Sequence, residues 1–103
     1  MGEYISALKR NEIPEGGAKT VEVKGKQVAV FNVDGNYFAI DGQCSHRGGS
    51  ISEGTRNGNV VICPLHRATF DITSGKVLSP PATRDLTSYK VRVQGDDIQI
   101  EFS

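Results

Sequence analysis

The sequence lacks the features that define several large classes of protein. Its 103 residues include only two cysteines, and its 12 Lys and Arg are balanced by 12 Asp and Glu. Two cysteines exclude the dense disulfide framework of many small secreted domains. Balanced charge provides no basic surface for nucleic acid or for anionic membranes, both of which require clustered Lys and Arg. We therefore expect neither nucleic acid nor a membrane as a partner.

Long hydrophobic runs are also missing near the N-terminus. Between Met1 and Ile13 the apolar residues are interrupted by charged ones. This stretch matches neither the apolar region of a signal peptide nor the roughly 20 apolar residues of a spanning helix. We expect a cytoplasmic protein, in which paired cysteines favour metal binding or redox chemistry over a disulfide.

Short strand patterns separated by turn residues occupy most of the chain. Turns are predicted at Gly25-Lys26, at Asp34 to Asn36 and at residues 94–97, where Gly, Asn and Asp favour them. One short helical pattern spans Ala7 to Ile13 and ends at Pro14. The predicted strands cover residues 19–24, 27–33, 37–40, 60–62, 68–71, 88–93 and 98–102. The sequence thus predicts an all-β fold, a single domain over 1–103 that forms an antiparallel sandwich or barrel.

One long segment has almost no apolar periodicity. Residues 41–59 contain five glycines and three serines, and we predict a loop there. Loops longer than about 12 residues in compact domains are usually functional or disordered. The chemistry of the protein is therefore expected in or beside this segment.

All cysteines and histidines of the chain lie in two pairs, Cys44 with His46 and Cys63 with His66, separated by sixteen residues. Residues two apart in an extended stretch project to the same side, so Cys44 and His46 can converge on one point. Pro64 favours a turn that brings His66 back toward Cys63. Two such pairs, with no other cysteine or histidine in the chain, predict a metal site.

The spacing alone leaves two kinds of metal site open. Two thiolates and two imidazoles suit a structural zinc ion, but zinc sites usually pair like ligands at short spacing. Here each pair combines a cysteine with a histidine. A 2Fe-2S centre with two thiolates on one iron and two imidazoles on the other fits this mixed pairing.

On these motifs the sequence resembles the Rieske-type 2Fe-2S ferredoxins, in particular low-potential ferredoxins of ring-hydroxylating dioxygenases. Cys-Ser-His-Arg-Gly-Gly at 44–49 resembles the first cluster loop of the family, and Cys-Pro-Leu-His at 63–66 resembles the second. Pro-Pro-Ala-Thr at 80–83 resembles a proline-containing loop that covers the cluster. The resemblance covers residues 15–102 and implies antiparallel sheets with a cluster-binding subdomain at about 41–83.

The resemblance also implies a role for each ligand. Cys44 and Cys63 would hold the inner iron, and His46 and His66 the outer, redox-active iron. Neutral imidazoles leave the cluster less negative than four thiolates would, which raises the potential above the ~ −400 mV of plant-type ferredoxins. High-potential family members have hydroxyl donors where Ala68 and Phe70 stand here, and they have extra cysteines that this chain lacks. We therefore predict a potential near the lower end of the Rieske range.

The expected function is that of a soluble one-electron carrier between a flavoprotein reductase and a terminal oxygenase. We expect a monomer. We also expect that the protein is not itself an enzyme, because a separate mononuclear iron site would need two further histidines. Two alternatives stay open. One is a small subunit of an assimilatory nitrite reductase, although keeping all four ligands argues against it. The other is a structural zinc module held by two Cys and two His.

Overall fold

The computed structural model describes residues 3–42, 51–63, 68–79 and 85–102. Strands dominate this part of the chain, and short 3-10 turns lie at Arg10–Glu12 and Ile51–Glu53. None of the helical segments in the described ranges is long and apolar enough to cross a membrane. The all-β prediction is confirmed. The eleven strands are β1 (Glu3–Lys9), β2 (Ala18–Val23), β3 (Lys26–Val33), β4 (Asn36–Asp41), β5 (Thr55–Asn57), β6 (Val60–Ile62), β7 (Thr69–Asp71), β8 (Val77–Ser79), β9 (Ser88–Tyr89), β10 (Val91–Gln94) and β11 (Asp97–Phe102).

These strands form three antiparallel sheets. The outer sheet has the order β1-β11-β10, the central sheet β2-β3-β4-β9, and the small sheet β5-β6-β7-β8. The outer sheet pairs the two ends of the described chain, with Glu3 opposite Phe102. The small sheet is built from consecutive strands of three residues each.

Strand β3 lies between two apolar cores. From Val28 to Val33 every residue is buried. Because successive side chains of a strand point to opposite faces, Ala29 and Phe31 pack into one core with the small sheet. Val28 and Val30 pack into the other core with the outer sheet. The central sheet therefore separates two hydrophobic layers.

Two tight turns connect β2 to β3 and β3 to β4. Lys24 and Gly25 have φ values of 52° and 78°, and Asp34 and Gly35 have φ values of 53° and 86°. Two successive residues with positive φ are the mark of the type I′ hairpin turn, whose twist matches that of the strands. The second turn lies where the sequence predicts it, whereas the first begins one residue before the predicted Gly25-Lys26.

The short helical pattern at Ala7 to Ile13, too short to be stable by itself, does not form an α-helix. Its first three residues belong to β1, and Arg10–Glu12 form only a 3-10 turn. The backbone of β1 pairs with β11, which lies some ninety positions later in the chain. A short apolar pattern near a chain end gives no sign of a partner so far away, and tertiary pairing decides the conformation.

Two other predicted segments also differ from the structure. The loop expected over 41–59 contains the 3-10 turn at 51–53 and the strand β5. The strand expected over 88–93 divides at Lys90 into β9, which pairs with β4, and β10, which pairs with β11. One continuous alternating pattern thus serves two sheets, because the chain crosses from the central sheet to the outer one.

Candidate metal centre

Of the four predicted ligands, Cys63 lies within the described residues. It directly follows β6 and is 1% exposed, in the apolar core that also holds Ala68 and Phe70. Cys44, His46 and His66 lie outside the described residues. So do most of the loop residues of the predicted subdomain at 41–83, whose boundaries stay a prediction.

The ends of the second ligand segment are joined by backbone hydrogen bonding. The N–H of Cys63 donates to the carbonyl oxygen of Ala68 at 2.7 Å. The next pair outward is Ile62 with Thr69, in the antiparallel register of β6 and β7. Residues 64–67, with His66, therefore leave and rejoin the small sheet at a single hydrogen-bonded pair.

The first ligand segment is closed in the same way. The N–H of Ile51 donates to the carbonyl oxygen of Gly42 at 2.9 Å, and the N–H of Gly42 donates to Gln27 at 2.8 Å. Gly42 and Ile51, the described residues on either side of Cys44 and His46, are thus hydrogen-bonded to each other beside the start of β3. The burial of Ile51 in the core fixes this pair against the small sheet.

A close backbone approach brings together residues that flank the two ligand segments. A Cβ atom at Gly54 would lie 2.2 Å from the carbonyl oxygen of Ile62. Only glycine permits two backbones to come so near. Gly54 is three residues after Ile51, and Ile62 is adjacent to Cys63. The described residues that follow the first Cys-His segment therefore lie against those that precede the second.

The proline-containing segment directly follows β8. Ser79 pairs with Thr69 across β8 and β7, and their hydroxyl groups lie 2.6 Å apart. Beyond the undescribed residues 80–84, the carboxylate of Asp85 accepts from the N–H of Val77 at 2.8 Å. The N–H of Leu86 donates to Gly75 at 2.7 Å. The chain thus enters residues 80–84 beside Thr69 and, after them, runs back along β8 at Val77 and Gly75.

The sequence gives little sign of the residues that close these segments. Gly54 and Asp85 belong to neither Cys-His pair, and their function depends on partners in other strands. The only available signal is that each of these residues flanks a segment rich in Gly or Pro. This signal is weak, because Gly and Asp are common near any turn.

The donor set fits a 2Fe-2S cluster. Within the described ranges no group of three or more His, Cys, Asp or Glu lies close enough to hold a metal. Cys63 is buried in an apolar core, where an ionised thiolate would need a cationic partner. An iron bound there would supply one. Two thiolates with two imidazoles match the ligands that Rieske centres use.

The comparison with known proteins agrees with this arrangement. The model of the Rieske [2Fe-2S] domain matches residues 3–90. The chain belongs to this family, and membership implies one 2Fe-2S cluster per chain. The resemblance expected from the two Cys-His motifs is confirmed.

The relatives that match over nearly their whole length include ferredoxin components of dioxygenase systems. The biphenyl dioxygenase ferredoxin subunit of Pseudomonas sp. strain KKS102 is 42% identical, covering 97% of this chain and 93% of that protein. The ferredoxin component of the naphthalene 1,2-dioxygenase system of Pseudomonas aeruginosa is 36% identical, with coverages of 98% and 97%. A chain in a solved complex of reduced oxygenase and oxidized ferredoxin of carbazole 1,9a-dioxygenase has a TM-score of 0.87 and 28% identity, covering 94% and 91%.

Proposed function

We propose that the protein carries single electrons from a flavoprotein reductase to the terminal oxygenase of a ring-hydroxylating dioxygenase system. The observation that carries this proposal is the match to ferredoxin components of biphenyl and naphthalene dioxygenase systems from one end to the other. The solved complex of a related ferredoxin with its oxygenase supports the choice of acceptor. The chain is cytoplasmic and monomeric, and it catalyses no reaction on a substrate by itself.

Four residues of the chain would hold the cluster. Cys44 and Cys63 would bind the inner iron, and His46 and His66 would bind the outer one. The cluster supplies reversible one-electron chemistry when bound. The burial of Cys63 supports an inner position for its iron. The contact between residues that flank both Cys-His segments supports a single site to which each segment would contribute one thiolate and one imidazole.

The chain's own residues then perform three tasks. Short backbone closures at Gly42 with Ile51, and at Cys63 with Ala68, hold the ligand segments together. The apolar residues around Cys63 exclude water from its side of the site. Ala68 and Phe70, both fully buried, offer no hydroxyl to the cluster. Fewer donors stabilise the reduced, more negative state less, which supports a low potential.

Spectroscopy of the purified protein tests the proposal. Protein prepared without oxygen is expected to contain two irons and two acid-labile sulfides per chain, in keeping with one Rieske cluster. It should show iron–sulfur absorption in the visible range and a rhombic EPR signal after reduction. A colourless protein that contains zinc would instead support the structural zinc module.

Ligand variants and an electron-transfer assay complete the test. Cys63→Ser and His66→Ala should lose the cluster signal, whereas Ser45→Ala, next to two ligands but not one of them, should retain it. The wild type should then support product formation when combined with a reductase and a dioxygenase terminal component. Electron delivery to a nitrite reductase catalytic subunit, but to no oxygenase, would favour the nitrite reductase alternative.

A further inference from the structure

Asp41, the last residue of β4, binds a second strand through both of its carboxylate oxygens. Oδ2 accepts from the N–H of Thr87 at 2.9 Å, and Oδ1 accepts from the hydroxyl of Tyr89 at 2.7 Å. The N–H of Asp41 itself donates to the carbonyl oxygen of Thr87 at 2.9 Å. One aspartate therefore makes three hydrogen bonds to the segment 87–89.

These bonds join described residues that flank two of the segments assigned to the candidate site. Asp41 lies two positions before residues 43–50, and Thr87 lies three positions after residues 80–84. Gly42, next to Asp41, accepts the hydrogen bond that closes the first ligand segment. The carboxylate thus fixes the chain that leaves the proline-containing segment against the chain that starts the first ligand segment.

The strand that Asp41 holds has little other hydrogen bonding. β9 consists of Ser88 and Tyr89 alone and pairs with β4 at Ile40 and Ala39. Hydrogen bonds to an ionised acceptor are stronger than bonds between neutral groups. The Asp41 carboxylate therefore contributes a large share of what fixes this short strand in place.

Tyr89 is suited to be a permanent donor in this arrangement. Its ring packs on Phe102 at a centroid distance of 5.0 Å, which orients the hydroxyl toward Asp41. Partial burial, together with the adjacent Asp41 carboxylate, raises the pKa of Tyr89 above its usual value. The phenol consequently stays protonated and donates over the whole neutral range.

We propose that Asp41 is a positioning residue for the cluster: by binding Thr87 and Tyr89 it holds the residues that flank the first ligand segment and the proline-containing segment, Gly42 and Thr87, in fixed relation to each other. This inference rests on the proposed function, because it assumes that residues 43–50 carry two cluster ligands. It predicts that the bonds of Asp41 govern how firmly the cluster is held and at what potential it is reduced.

The test compares Asp41→Ala, Asp41→Asn and Tyr89→Phe with the wild type, each as the cluster-loaded protein. The asparagine keeps one acceptor oxygen, and the phenylalanine keeps the contact with Phe102. Asp97→Asn is the matched control, since its carboxylate binds Lys9 in the outer sheet, away from the ligand segments. Cluster loss is followed as bleaching of the visible absorption in the presence of an iron chelator, well below the unfolding temperature.

We expect Asp41→Ala to lose the cluster roughly tenfold faster than the wild type, a factor that corresponds to one hydrogen bond to a charged acceptor. Asp41→Asn and Tyr89→Phe should give smaller accelerations, and Asp97→Asn none. The midpoint potential and the reduced EPR spectrum of Asp41→Ala should shift as well. Amide hydrogen exchange at Ile51 and Thr87 should accelerate in the same order.

Two results would overturn the inference. Wild-type rates, potentials and spectra in all Asp41 and Tyr89 variants would show that the carboxylate does not position the cluster. Equal bleaching rates in the Asp41 variants and in Ile98→Ala would also overturn the inference. Ile98→Ala is a core variant of the outer sheet, chosen for a similar loss of global stability. A wild-type protein without a 2Fe-2S spectrum would refute the proposed function itself, and this outcome is visible before any variant is made.

Discussion

The outer and central sheets, which together are called the body here, are stabilised by different interactions from those of the small sheet. In the body, β1, β2, β3, β4 and β11 have six to eight residues and pair along most of their length. Each strand of the small sheet has three residues. Its position depends on the core it shares with the central sheet and on hydrogen bonds at the ends of its connecting segments.

This difference indicates which part of the folded protein a bound cluster would stabilise most. A ligand that binds only the folded state stabilises that state. The body has long ladders and its own core, so it gains little from bound iron. The small sheet has short ladders and contacts residues that flank both ligand segments. Four bonds from the cluster to two segments would therefore stabilise the small sheet most.

Matched core substitutions should give the largest measurable difference between the two regions. Ile51 and Ile98 are both fully buried, one beside the first ligand segment and the other in the outer sheet. Replacement of either by alanine should lower the free energy of unfolding by about 2–5 kcal/mol, the usual range for this change in a core. Only Ile51→Ala should also speed up cluster loss at low temperature. Denaturant unfolding and visible absorption measure the two effects, and equal cluster loss in both variants would contradict the distinction.

The joint between the two regions offers a second test. The guanidinium of Arg56, in β5, donates to the carbonyl oxygen of Asn32, in β3, at 3.1 Å. Arg56→Met should destabilise the protein by about 1.5 kcal/mol, because hydrogen bonds from charged donors are stronger than neutral ones. Lys19→Met is the control, since Lys19 binds Glu12 through a solvent-exposed ion pair. It should change stability by no more than about 0.5 kcal/mol. Urea unfolding that gives the same value for both would rule out a special role for the joint.

A hydroxyl group added on the cluster side should change the potential without affecting the body. Phe70 is fully buried in the core that contains Cys63. Phe70→Tyr should raise the midpoint potential by on the order of 60 mV, since a hydrogen bond to a charged acceptor contributes about 1.5 kcal/mol and tenfold in a one-electron equilibrium is about 59 mV. Phe31→Tyr, also in this core but on β3, controls for the added hydroxyl. Film voltammetry that shows no shift in Phe70→Tyr would remove this residue from the potential argument.

Alkaline pH should produce the smallest effect, at the contact between β9 and β4. Because the pKa of Tyr89 is raised in the folded protein, mainly by burial and then by Asp41, the folded state keeps its proton more tightly than the unfolded state. The contribution to stability is unchanged below about pH 10 and falls as pH rises above it. Tyr89→Phe should therefore lose less stability than the wild type between about pH 10 and 11. Parallel curves of unfolding free energy against pH would contradict the shift.

Local patterns of the sequence were sufficient for most of the strands. The alternation of Val21 with Val23, and of Ile98 with Ile100, was visible directly, because a strand with one buried face has a period of two. The Asp34-Gly35 turn was equally evident from residues that tolerate positive φ. Strands of three residues were harder to predict. β5 lies in a stretch whose glycines and polar residues suggest a loop, and only its pairing with β6 makes it a strand.

The kind of metal site was also predictable from the sequence, once the resemblance of both Cys-His motifs to the Rieske family favoured a 2Fe-2S cluster over zinc. Four soft ligands in two mixed pairs specify a donor set by their chemical identity, and no distance between strands is needed to recognise it. What only the tertiary structure decided is how the segments that carry these ligands are closed and held. Gly54 lies against Ile62 in a neighbouring strand, and Asp41 binds Thr87 and Tyr89, which are 46 and 48 positions later in the chain. Such contacts depend on the register of strands and the layering of sheets, which a local pattern cannot encode.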